Sequence, residues 1–215
     1  RSVSRGLGDV YKRQLPIRTG RLTDAENCGM LLALFPERSA CFSGERIMKK
    51  LIAYYSRAGE NYFSGARRTI AVGNTEKAAR LLAELTGAEL FHIEQKAPYS
   101  DNYDACVAEA RRDLRANARP ELMVLPERLD DYEEIYLGYP NYCGTMPMAV
   151  YTFLEHYDWQ GKTIHPFCTN EGSGLSNTEQ DIRRAAKGAL VAHGLSLRGS
   201  AVDSAKPKLE QWLRG

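Results

Sequence analysis

KKLIAYYSRAGENYFSGARRTIAVGNTEKAARLLAEL (residues 49–85) is the stretch that decides the fold. It opens on a short apolar run rich in strand formers, KKLIAYYS (49–56). It closes on NTEKAARLLAELTG (74–87), where Ala78, Leu81, Leu82 and Leu85 recur at helical spacing and Gly87 is a stop signal. A strand-to-helix turn is usually short, yet sixteen residues (57–72) separate Ser56 from Gly73. The segment GENYFSGARRTIAV (59–72) has a turn-like Ser64–Gly65 centre between strand-like arms. A hairpin excursion of that kind brings Ser56 and Gly73 close again. The other reading is an ordinary surface loop, with NTE merely capping the helix.

The rest of the chain repeats the alternation. Strand-like segments are AELFHIEQ (88–95), EEIYLGYP (133–140), KTIHPFCTN (162–170) and HGLSLRGSAV (193–202). Helical segments are DACVAEARRDLRAN (104–117), TMPMAVYTFLEHYD (145–158), SNTEQDIRRAAKGAL (176–190) and AKPKLEQWLRG (205–215). Pro147 suits the first turn of its helix, and a Ser/Asn/Thr–Glu cluster at 176–179 resembles a capping box. Five strands alternating with five helices predict an α/β fold with a parallel sheet covered on both faces. Ligands of such sheets sit beyond the carboxyl ends of the strands at the switch point. That directs attention to the residues after Ser56, Tyr139 and Thr169.

Composition excludes some function classes. Hydrophobic residues make up 43% and charged residues 26%, as in an ordinary soluble protein. The net charge is +2, with eight basic and five acidic residues in 1–47 and 21 against 22 in 48–215. Such a balance argues against nucleic acid as the main partner. Five cysteines without a CxxC pair support neither a disulfide framework nor a zinc site, and a reducing cytoplasm is the plain expectation. The longest apolar run near the start, MLLALF, is far shorter than a bilayer span, so no membrane partner is expected.

Residues 1–47 show no sustained period and read as a poorly ordered or artefactual extension. SRGLGDVYKRQ (4–14) resembles a translated sequencing adaptor, because GAT GTG TAT AAG AGA CAG encodes DVYKRQ. Met48 is then a natural start, and 48–215 the functional domain.

Three strand ends carry candidate chemistry. GNTE (73–76) opens a helix whose free N–H groups and dipole favour an anion. Ser56, Asn74 and Thr75 can donate to phosphate oxygens there. No lysine stands in a GxxxxGK[ST] arrangement, so a phosphomonoester suits the loop better than a triphosphate. GYPNYCGTMP (138–147) sets Tyr139 and Tyr142 on a tight loop where a flat ring could stack, or where they could shield the sheet edge. CTNEGSGLSNTE (168–179) offers small residues that expose backbone groups to a ligand edge. Taken singly, Cys143 reads as a packing thiol, Cys106 and Cys168 as core, and Arg67 and Arg68 as a solvated hairpin face.

With YYSRAGEN…VGNTE, LGYPNYCGTMPMAVYTFLE and PFCTNEGSGL on the page, the chain from about Met48 to Gly215 resembles the flavodoxin-like family, in particular a subgroup of short FMN-binding proteins. The resemblance implies a three-layer sandwich with a five-stranded parallel sheet of order 2-1-3-4-5, and noncovalent FMN. It implies a phosphate loop of Ser56, Arg57, Gly73, Asn74 and Thr75, interrupted by a hairpin. It implies an isoalloxazine loop of Pro140, Asn141, Tyr142, Cys143 and Gly144. Thr169, Asn170, Glu171, Gly172, Ser173 and Gly174 would run along the ring's other edge. The function implied is electron transfer with a redox partner protein or a small quinone-like acceptor, with no metal and no catalytic side chain required. The alternatives are an NAD(P)H- or quinone-linked FMN oxidoreductase and a non-redox phosphate- or nucleotide-binding module.

Overall fold

The computed structural model describes residues 49–215. The readings of 1–47, of the adaptor and of Met48 as the start lie outside the described residues. The sheet is built from β1 (Lys49–Tyr54), β4 (Glu89–His92), β5 (Tyr132–Pro140), β6 (Thr163–Asn170), β7 (Leu190–Val191) and β8 (Leu195–Arg198). Helices α1 (Asn74–Thr86), α2 (Tyr103–Arg115), α3 (Met148–His156), α4 (Thr178–Ala185) and α5 (Lys206–Leu213) cover it. Between β1 and α1 lies an antiparallel hairpin of β2 (Gly59–Phe63) and β3 (Ala66–Ile70).

The spatial order is β4-β1-β5-β6, and every pairing in the sheet is parallel. This is the expected 2-1-3-4-5 order with one correction. The sheet has six strands, because two short segments share the fifth position. β7 pairs with Thr163–Ile164 and β8 with Phe167–Asn170. The chain leaves the sheet between them, where Gly194 N–H donates to Glu179 Oε1 at 2.7 Å. The last stretch read as strand also stops early: from Gly199 to Ser204 the backbone winds into a 3-10 turn.

Alternation within β1 divides the core. Leu51, Ala53 and Tyr55 face α2, α3 and α4, packing with Cys106, Phe153, Trp159 and Ile182. Ile52 and Tyr54 face α1 and α5, packing with Ala78, Ala79, Leu82 and Leu209. The inner strands β5 and β6 are buried on both faces, which explains their continuous apolar runs. Two small residues on the inner face of α1, Ala78 and Ala79, are fully buried and let the helix lie close to the sheet.

Two local expectations change. Pro147 precedes α3 as its N-cap rather than sitting in its first turn. The capping box at 176–179 does not form; α4 starts after Asn177 without a side-chain cap, and Thr178 Oγ1 donates to Leu175 O instead.

Candidate functional site

The carboxyl ends of β1, β5 and β6 open onto one cavity of about 350 Å³. Parallel strands deliver their C-terminal loops to the same edge, and the order reverses at β1 and β5, so a crevice forms there. Twelve of the sixteen residues expected at a site line it: Ser56, Arg57, Asn74, Thr75, Pro140, Asn141, Tyr142, Cys143, Thr169, Asn170, Glu171 and Ser173. Gly73, Gly144, Gly172 and Gly174 do not line it. Gly73 serves close approach instead: a Cβ there would stand 2.1 Å from Ser56 Oγ and 2.7 Å from Arg57 O.

The first wall is the start of α1. Gly73 is its N-cap and has no side chain to cap with. Ser56, across the hairpin insertion, does this work: its Oγ accepts the Glu76 N–H at 3.1 Å. The first-turn N–H groups of Asn74 and Thr75 have no intrahelical acceptor. Thr75 and Thr169 are both buried, and their hydroxyls meet at 2.8 Å, which ties α1 to the end of β6. Asn74 Oδ1 is buried without a hydrogen-bond partner.

The second and third walls are tied to each other. Asn141 Oδ1 accepts Gly144 N–H at 3.0 Å, while its Nδ2 donates to Gly174 O at 3.1 Å and Ser176 Oγ at 2.9 Å. Asn141 N–H donates to Thr169 O at 2.9 Å. Asn170 Oδ1 accepts the N–H groups of Gly172 and Gly174 at 2.9 and 3.0 Å. These two side chains shape the loops. Tyr142 turns its ring inward against Tyr55 and Tyr99, at centroid distances of 6.3 Å. Its hydroxyl accepts from Arg57 Nε at 3.3 Å and from Cys106 Sγ at 3.7 Å. Burial pushes the Tyr142 hydroxyl well above its ordinary pKa and raises the Cys106 thiol, so both stay protonated.

The expected hairpin forms and returns the chain so that Gly73 lies against Ser56, but it does not project freely into solvent. Its turn residues Ser64 and Gly65 take φ of 43° and 98°, the left-handed values of a tight two-residue hairpin turn. Its base is fixed by Glu60, whose carboxylate accepts Tyr103 N–H at 2.8 Å and Asn102 Nδ2 at 3.2 Å. Its tip reaches the far wall, where Ser64 N–H and Oγ both lie 3.3 Å from Glu171 Oε2. Glu171 also accepts Ser200 N–H at 2.6 Å. Arg67 is exposed, as expected of a solvated hairpin face, and also pairs with Asp104 at 2.6 Å and sits over the Tyr103 ring. Tyr62 stacks on Tyr103 at 6.2 Å. The hairpin thus forms an arm anchored on two sides of the cavity.

Other expectations are corrected by the same geometry. Arg57, placed with the phosphate loop, directs its guanidinium to Ser100 O, Asp101 O and Glu60 O. Cys143, read as a packing thiol, is exposed with φ +56°. Cys106 is buried, as expected of a core thiol, yet it also borders the cavity. Eight lining residues were not among the expected site residues: Asn61, Tyr62, Tyr103, Cys106, Val107, Ala110, Arg111 and Gly199. Tyr103, Cys106, Val107, Ala110 and Arg111 lie at helical spacing on one face of α2, and that periodicity was the available signal. Gly199 gave none, since it lay in a stretch that alternates like a strand.

Residues 49–215 match a family model described as Flavodoxin. The chain belongs to this flavodoxin family. A search of curated proteins returned no significant match. Among solved structures, a candidate flavoprotein of Bacteroides uniformis ATCC 8492 is similar at 26% identity, covering 78% of this chain and 98% of that one, with a TM-score of 0.63. A candidate flavoprotein of Bacteroides eggerthii DSM 20697 gives 24% identity, coverage of 75% and 98%, and a TM-score of 0.55. A Lactobacillus acidophilus NCFM flavoprotein solved in complex with FMN gives 22% identity, coverage of 76% and 99%, and a TM-score of 0.55. The flavodoxin fold of residues 49–215 is therefore recovered both by sequence and by shape. Among the described residues no helix is long and apolar enough to cross a membrane, and no group of three or more His, Cys, Asp or Glu is placed to hold a metal.

Proposed function

We propose that this flavodoxin-family chain holds FMN noncovalently in the cavity at the carboxyl edge of its sheet and acts in electron transfer. The observation that carries this is the convergence of the α1 N-terminus with the 140–144 and 169–174 loops on one cavity. The donor set fits a phosphomonoester. The free N–H groups of Asn74 and Thr75, the helix dipole and the Ser56 hydroxyl, whose proton is not used in capping, all favour an anion. The unpartnered Asn74 Oδ1 calls for a donor, which a hydroxyl of the sugar chain supplies. The FMN complex of the Lactobacillus relative supports the same cofactor.

Bound FMN supplies the electron chemistry; the protein binds, orients and shields it. Asn141 and Asn170 hold the two ring-side loops in register. The arm of β2 and β3 covers the cavity from Tyr103 to Glu171 and limits water access.

The test uses the full chain. A yellow protein whose released flavin is FMN is expected, reduced only through a partner protein. Rapid turnover with NADH or NADPH and a quinone defeats the carrier reading. It selects the FMN oxidoreductase, the second reading, which the arm over the cavity favours. A colourless protein that takes up no FMN leaves the non-redox module.

A further inference from the structure

Arg57 adjoins Ser56, where a guanidinium is naturally read as a phosphate ligand. The structure turns it elsewhere. Its Nη1 donates to Ser100 O at 2.9 Å and Asp101 O at 3.2 Å, its Nη2 to Glu60 O, and its Nε to the Tyr142 hydroxyl at 3.3 Å. All four acceptors are uncharged. Among the described residues Arg57 makes no ion pair, whereas Arg67, Arg119 and Arg198 each have a carboxylate partner. The other groups around the guanidinium, Tyr55, Tyr142 and Cys106, are all held neutral by burial. Arg57 is partly buried and lines the cavity beside the 140–144 loop. One wall of the ring-side cavity therefore carries a fixed positive charge without a counter-ion.

The consequence follows from the charge of the ligand. The oxidised isoalloxazine ring is neutral. Two electrons and one proton give a reduced ring bearing one negative charge, with no bond made to the protein. An arginine does not give up its proton, so its charge is constant over this change. A cation in a partly desolvated wall attracts the reduced ring and is close to indifferent to the oxidised one.

We propose that Arg57 is an electrostatic partner of the reduced flavin ring rather than a phosphate ligand, so that the cavity binds reduced FMN in preference to oxidised FMN and raises its reduction potential. This rests on the FMN reading above. The carbonyls of Ser100, Asp101 and Glu60 fix the guanidinium in place. The same bonds couple the charge to the base of the arm.

The experiment is a redox titration of the FMN-loaded full chain against a reference dye, with reduction by dithionite. Arg57→Gln is expected to cut the preference for reduced over oxidised FMN about tenfold, which is about 30 mV for a two-electron couple. Arg57→Lys keeps the charge and is expected to restore most of the preference. Arg57→Met removes the same charge with an apolar side chain and is expected to lower the potential in the same direction; it decides the matter should Arg57→Gln not fold. A parallel titration compares oxidised FMN with riboflavin, and Arg57→Gln is expected to change both affinities alike. Unchanged potentials in both charge variants overturn the proposal. So does an Arg57→Gln chain that loses FMN affinity but keeps riboflavin affinity, because that is the behaviour of a phosphate ligand. A wild-type chain without FMN defeats the flavin reading itself, before any variant is compared.

Discussion

Ser56 caps a helix that begins eighteen residues further along the chain, and Gly73 makes this possible by leaving no side chain between them. The two residues thus join local structure to the site, because the capped turn is the one that presents its N–H groups to the cavity. Ser56→Ala is expected to cost about 1 kcal/mol, the usual value of an N-cap. Gly73→Ala drives a methyl into Ser56 and is expected to cost about 1–3 kcal/mol. Urea midpoints measure both, and FMN affinity should fall with each. A second residue-scale effect concerns acid. His165 stacks on Tyr136 at 5.0 Å, its Nε2 is buried without a partner, and burial lowers its pKa below 6.5. Glu134 and Lys50 act on it in opposite senses. The unfolded chain takes up the proton near 6.5 and the folded chain does so only at lower pH. The associated stability is complete above that value and declines as pH falls through the window below it. His165→Gln is expected to flatten this decline in urea melts between about pH 7 and pH 5.

At the scale of elements, the hairpin shows how far sequence carries and where it stops. Ser64–Gly65 between strand-like arms was legible because two-residue turns demand left-handed backbone there. The destination of the tip was not, since Glu171 lies 107 residues away from Ser64 and no local rule links them. The same holds for Arg57. Its neighbour Ser56 suggests a phosphate, but its acceptors sit 43 and 44 residues on, in a loop whose position only the folded sheet defines. On α2 the helical spacing was plain, while the choice of face opening onto the cavity depends on how the arm packs against Tyr103. The tip itself offers a test. Glu171→Gln weakens its acceptance from Ser64 and Ser200 and is expected to speed FMN release about threefold to tenfold, on the order of 1 kcal/mol. Stopped-flow displacement reads the rate, and cleavage at Ser64–Gly65 by protease should rise in parallel.

For the whole molecule, the parallel sheet was readable from apolar runs alternating with amphipathic helices, whereas its strand order came only from the family resemblance. Burial on both faces forces such runs in β5 and β6, and right-handed crossovers leave few ways to connect them. The split of the last sheet position escaped because HGLSLRGSAV alternates throughout, although only Leu195–Arg198 pairs with β6. The cavity is assembled from segments on both faces of the sheet, through the Thr75–Thr169 and Asn141–Gly174 bonds. A ligand that joins those segments should stabilise the fold as one unit. FMN at a hundred times its dissociation constant is expected to add about 2.7 kcal/mol, seen as a concentration-dependent shift of the thermal midpoint. An unshifted midpoint at saturating FMN counts against the cavity as its site.

The contacts among Ser64, Glu171 and Ser200 lie beside Asn74: a Cβ on Gly199, the neighbour of Ser200, would stand 2.5 Å from Asn74 Nδ2 and 3.0 Å from Glu171 Oε1. With FMN held as proposed, its anionic end would terminate at this crowded corner. A dinucleotide extends through its diphosphate at this end, and to do so here it would have to break the bonds of Ser64 and Ser200 with Glu171. On that reading the corner favours a mononucleotide, and FMN is expected to bind more tightly than FAD when the two flavins are compared side by side.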